Sequence, residues 1–162
     1  MAKKIRILFL CADPRGVGYR PLLKREFREI DIKIKSSPNH DIFKIKSEWA
    51  VRPDDLQEAL LKHCPHIVHL STHANRAEGI LLEDDFGEKK AISSLALAGF
   101  LSKLESRVCI VFLNACYTKR QMKPFVQTID YTIAMNTSIG DKGAIVFAAS
   151  FYRGLAFGLS VK

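Results

Sequence analysis

Apolar runs alternate with amphipathic stretches along the whole chain. Ile5-Arg6-Ile7-Leu8-Phe9-Leu10-Cys11, Ile67-Val68-His69-Leu70-Ser71 and Val108-Cys109-Ile110-Val111-Phe112-Leu113 are short runs rich in β-branched and aromatic residues. Each is too short for a helix and reads as a strand buried on both faces. Residues 42–49 alternate apolar and polar side chains, the period of a half-buried strand. Between these runs, Pro21 suits the first turn of a helix carrying Leu22, Leu23, Phe27, Ile30 and Ile34 on one face. Pro53-Asp54-Asp55 opens a second, shorter helix through Leu56, Ala59 and Leu60. Gly79-Ile80-Leu81-Leu82, a polar turn at 84–87 and Lys90-Ala91-Ile92 predict a hairpin. Ser93 or Ser94 caps a helix over 95–104. A polar helix is expected over 118–128, a strand over 131–135 and, after the Ser138-Ile139-Gly140-Asp141 turn, a small-residue apolar helix over 142–159.

That order, with strands and helices alternating around one hairpin, predicts an α/β fold: one mostly parallel sheet covered by helices on both faces. There is no internal repeat, low-complexity tract or linker, so residues 1–162 are expected to form a single domain. The chain stops directly after its last predicted helix, which suggests a domain truncated at its C-terminus or one that normally continues.

Composition narrows the setting. The 162 residues are 48% hydrophobic, enough for a sizeable core, yet no apolar run reaches the roughly 18 residues of a membrane span. The first residues lead into a strand rather than an apolar signal core. Cys11, Cys64, Cys109 and Cys116 form no CxxC pair, which fits a reduced, cytoplasmic setting. No metal is expected, because Cys64, His63, His66, His69 and His73 straddle a helix end and a strand and need not converge. The net charge of +8 is concentrated in the first 46 residues, with twelve Lys/Arg against five Asp/Glu. These charges are dispersed over a helix and an alternating strand without aromatic partners. They read as a solvated surface, which argues against a nucleic-acid partner.

Candidate chemistry sits at two strand ends. His73 and Cys116 each follow an apolar strand, and a parallel sheet gathers its chemistry at the carboxyl ends of its strands. If the two strands are neighbours, a thiol and an imidazole 43 positions apart in sequence meet, the arrangement of an activated nucleophile. Lys119 and Arg120, or a following helix N-terminus, would favour the thiolate. Cys11 and Cys109 read as core thiols, Cys64 as a loop residue and His69 as a structural histidine. The loop Gly16-Val17-Gly18 lacks the remaining glycine or lysine of a phosphate-binding turn.

The segments Ile67-Val68-His69-Leu70-Ser71-Thr72-His73-Ala74, Gly79-Ile80-Leu81-Leu82-Glu83-Asp84 and Val111-Phe112-Leu113-Asn114-Ala115-Cys116, in that order, resemble bacterial CHAT domains. Those are caspase-fold cysteine peptidases related to separase. Ile139-Gly140-Asp141, with Phe151-Tyr152 and Leu155, resembles the family's final unit. The resemblance implies a caspase-like three-layer sandwich and a cysteine endopeptidase with His73 and Cys116 as its catalytic dyad. It also implies backbone N–H groups of Ala74 and Cys116 as the oxyanion site and no cofactor. Asn114 and Asp141 are implied in substrate binding, Asp141 for a basic side chain before the cut bond. The expected partners are a protein or peptide substrate and regulatory sensor modules, in a bacterial signalling or defence system. Thr72 and Ala74 stand where the family pattern has glycines. That departure motivates the alternative of a catalytically silent caspase-fold interaction module. Receiver-like or flavodoxin-like readings fit poorly, because the third strand ends in His73.

Overall fold

The computed structural model describes residues 4–15, 20–75, 79–104, 107–116, 118–137 and 140–162. The Gly16-Val17-Gly18 loop and Ser138-Ile139 lie outside the described residues. Strands β1 (Ile5–Cys11), β2 (Phe43–Glu48), β3 (Ile67–Ser71), β7 (Ile110–Asn114) and β8 (Tyr131–Ala134) form one sheet in the order β2-β1-β3-β7-β8. All four pairings are parallel. The three continuous apolar runs occupy the centre, while β2, with Lys44 and Lys46 exposed, takes one edge. Lysines on an edge strand discourage further strand pairing.

Alternation along the strands divides the core in two. Ile7, Phe9, Cys11, Ile67, Ile110 and Phe112 face helices α1 (Arg20–Lys35) and α5 (Asp141–Ala156). Leu8, Leu10, Val68, Leu70, Val111 and Leu113 face α2 (Pro53–His63), α3 (Ser94–Leu101) and the short α4 (Lys123–Val126). The result is a three-layer α/β sandwich of caspase-like type. No helix among the described residues is long and apolar enough to cross a membrane.

A second, antiparallel sheet consists of β4 (His73–Asn75), β5 (Gly79–Glu83) and β6 (Lys89–Ile92). The hairpin β5–β6 turns where Asp84 Oδ1 accepts the N–H groups of Phe86 and Glu88, both at 2.8 Å. The His73 strand is therefore two strands. β3 ends at Ser71, Thr72 makes the bend, and His73 opens the small sheet. The Thr72 hydroxyl donates to the Leu81 carbonyl and so ties that bend to β5.

The polar segment expected as one helix over 118–128 is broken into a 3₁₀ turn, Thr118–Gln121, and α4. Pro124 explains the break: it lacks an N–H and suits the first turn of a new helix rather than the middle of an old one. Ser93 caps α3, its side chain accepting the Ala96 N–H at 3.2 Å.

Candidate active site

Register places the chemistry. Cys11 on β1 pairs with Ser71 on β3, and Ser71 pairs with Asn114 on β7. Two residues beyond this row stand Asp13, His73 and Cys116, one from each of three adjacent strands. The row is extended by Ala12 N–H donating to Ser71 O (3.2 Å) and Thr72 N–H donating to Asn114 O (3.3 Å). His73 and Cys116 both line one cleft at this edge, together with Ala74, Asn114 and Asp141. At about 130 Å³ it is close to the roughly 150 Å³ of a cavity that holds benzene. That is room for one substrate side chain.

Asp13 went unrecognised in the sequence. It is buried, and its Oδ1 lies 3.4 Å from His73 Nε2, the long end of hydrogen-bond range. Its backbone N–H donates to the buried carboxylate of Glu83 at 2.8 Å. The hairpin thus has a second use: Glu83 on β5 fixes the loop that sets Asp13 against His73. The same strand-end logic that singled out His73 applies to Asp13, two residues beyond β1.

Burial pushes the His73 imidazole below the ordinary histidine value. Asp13, and more weakly Asp141, pull it back up without reversing the shift, while Lys89 adds to the fall. His73 is therefore neutral at pH 7 and able to accept a proton. Because its folded pKa is depressed, its contribution to stability is present above the unfolded value near 6.5 and lost as pH falls through the folded one. An NMR titration of the His73 ring is expected to show a midpoint below that of a model peptide. Asp13→Asn removes the largest raising influence and should lower the midpoint further; a rise would contradict the assignment.

Cys116 is exposed on the turn after β7, whereas Cys11 is buried and Cys64 and Cys109 are half-buried. Thr118, 1% exposed, holds this turn. Its hydroxyl donates toward the carbonyls of Leu113 (3.1 Å) and Ala115 (2.9 Å) and accepts the Met135 N–H (3.0 Å). Across the turn, Lys119 N–H donates to Met135 O at 3.0 Å. A polar residue two positions past a cysteine carries no sequence signal by itself, so Thr118 was legible only as part of a polar segment.

The two departures from the glycine pattern are accommodated. Ala74 lies in β4 and, among the described non-glycine residues, positive φ is confined to Ala50 and Cys64. Alanine is therefore unstrained there. Thr72 lines the cleft with its hydroxyl committed to Leu81.

Asp141 is the first residue of α5, following Gly140 at φ +72°, a conformation that favours glycine. A carboxylate in the first turn is stabilised by the helix dipole. Asn114 is buried, and its amide donates to Glu26 Oε1 at 2.5 Å. His69, expected to be a satisfied core histidine, is fully buried between Phe9 and Phe112, with ring centroids 4.8 and 4.5 Å away.

The family model for the CHAT domain matches residues 10–162. The chain belongs to the CHAT domain family. It is similar to a Roc-COR-CHAT protease from an unknown prokaryotic organism, 27% identical over 157 residues, covering 91% of this chain and 14% of that protein. It is also similar to a probable protease of Gillisia limnaea (strain DSM 15749 / LMG 21470 / R-8282), 25% identical over 154 residues, covering 92% of this chain and 26% of that protein. The CHAT domain described here thus spans a seventh to a quarter of the length of these curated relatives.

Proposed function

We propose that this CHAT domain is a caspase-like cysteine endopeptidase acting on a protein substrate. The observation that carries the reading is the row Asp13, His73, Cys116, each two residues beyond paired positions on adjacent strands. In this reading His73 takes the thiol proton and the Cys116 sulfur attacks a peptide carbonyl. Backbone N–H groups of Ala74 and Cys116 hold the oxyanion. The C–N bond then breaks as His73 gives its proton to the leaving amine. Water hydrolyses the thioester, its proton passing to His73 and back to sulfur. Asp13 holds the imidazole in orientation. By the family resemblance, its larger setting is a bacterial signalling or defence system in which sensor modules control cleavage.

Asp141 and Asn114 are assigned to the substrate side-chain pocket, with Asp141 selecting Arg or Lys before the cut bond. Asp141 is exposed where it lines the cleft, so an ion pair with a basic side chain is worth only about 0.2–1 kcal/mol, a modest bias at that position. A fluorogenic peptide panel varied only at that residue should show preference for Arg or Lys. Asp141→Asn should flatten that preference. A preference for Asp, or an unchanged profile in the variant, would remove Asp141 from the pocket.

A further inference from the structure

Beneath the cleft lies a buried polar cluster of which the proposed chemistry uses only Asn114. Glu26 projects from α1 into the core at 2% exposure and lines the cleft floor. Its Oε2 accepts from Ser71 Oγ at 2.5 Å, and its Oε1 accepts from Asn114 Nδ2 at 2.5 Å. Oε1 also lies 2.8 Å from His69 Nε2, whose Nδ1 is 3.1 Å from the Tyr152 hydroxyl on α5. Burial and the nearby Glu26 charge push Tyr152 well above the ordinary tyrosine value, so it stays a phenol. Its O–H then donates to Nδ1, which leaves Nε2–H to donate to Glu26. The groups facing Glu26 from β3, β7 and, through His69, α5 thus all donate toward one carboxylate.

Ser71 and Asn114 are themselves a register pair, the last of β3 and β7. His73 and Cys116 each stand two residues further on. The geometry points to Glu26 as a positioning residue: a carboxylate clamp across the ends of β3 and β7 that sets the spacing of His73 and Cys116. A buried carboxylate of this kind is unfavourable unless fully hydrogen-bonded, and one without a task would be replaced at little cost by an apolar residue. The clamp also links both helices of one layer to the strand ends, so a shift of α1 is felt at the dyad. This inference rests on the peptidase reading above, and its test separates the two.

The measurement is the pH–rate profile of Cys116 alkylation by iodoacetamide, followed by peptide mass spectrometry. Cys64, at the end of α2, is the internal reference, and thermal unfolding reports folding. Wild type should carry a limb from His73, and His73→Ala should lose it and slow Cys116 at pH 7 roughly tenfold. Glu26→Leu, which keeps bulk without acceptors, should resemble His73→Ala. Glu26→Gln, which keeps one acceptor oxygen and puts a donor amide in place of the other, should fall between wild type and Glu26→Leu. Ser71→Ala removes one arm with little change in volume and should slow Cys116 roughly threefold, so it decides the matter if Glu26→Leu does not fold. A purely structural Glu26 would lower the unfolding temperature and leave the profile alone. Wild-type profiles in Ser71→Ala and in folded Glu26→Leu would overturn the clamp. No effect of His73→Ala would instead overturn the dyad.

Discussion

Cys116→Ala is expected to lower peptide cleavage by about 10⁴-fold or more, because Cys116 is the only thiol among the described residues that line the cleft. His73→Ala should cost roughly 10²–10⁴-fold, the usual contribution of a positioned acid and base. The more informative quantity is the double variant. Residues that act as a unit are strongly non-additive, so the pair should be no worse than Cys116→Ala alone. The measurement is the initial cleavage rate of an Arg-containing fluorogenic peptide at pH 7 for all four proteins. A His73→Ala rate close to wild type would remove the imidazole from the mechanism. Cleavage surviving in Cys116→Ala would remove the thiol from the mechanism, whereas no cleavage by the wild-type protein would favour the interaction-module reading.

The second large effect is on stability. Phe112 on β7 is fully buried, stacked on His69 and meeting Phe151 edge-on with centroids 5.4 Å apart. Truncating such a ring removes its burial and leaves a cavity that the sheet closes only in part. Phe112→Ala should therefore destabilise by about 3–5 kcal/mol. For a domain of this size that is a fall in Tm of roughly 6–20 °C. Phe86, 77% exposed on the hairpin turn, is the control, and Phe86→Ala should stay within about 0.5 kcal/mol of wild type. Urea unfolding of both variants checks this. A loss below about 1 kcal/mol in Phe112→Ala would mean the ring stack is not the anchor of this layer.

The central strands were legible because residues buried on both faces leave an uninterrupted apolar run, and that pattern needs no knowledge of neighbours. His73 and Cys116 were legible for the same reason, being the first reactive groups after such runs. Asp13 obeyed the same rule and was passed over, because a carboxylate after a strand also reads as an ordinary loop residue. Glu26 left a fainter signal. It falls between Leu22 or Leu23 and Ile30 on the apolar face of α1, where a charge is out of place. Its partners His69, Ser71 and Asn114 lie 43 to 88 positions away, beyond the reach of any local pattern. The split at Pro124 has a local sign in the proline itself, whereas the bend at Thr72 depends on a tertiary partner, Leu81. Within helix periods and strand alternation, such long-range hydrogen bonds leave no trace.

In the proposed mechanism His73 and Cys116 work as one catalytic unit. The most direct test is covalent capture by a peptidyl acyloxymethyl ketone ending in Arg, a weak electrophile that a thiol alone barely attacks. Intact mass and peptide mapping of the treated protein should show one adduct per chain, on Cys116. The adduct should be lost in His73→Ala, although iodoacetamide still labels Cys116 in that variant. No adduct on the wild-type protein, or equal capture with and without His73, would contradict the account.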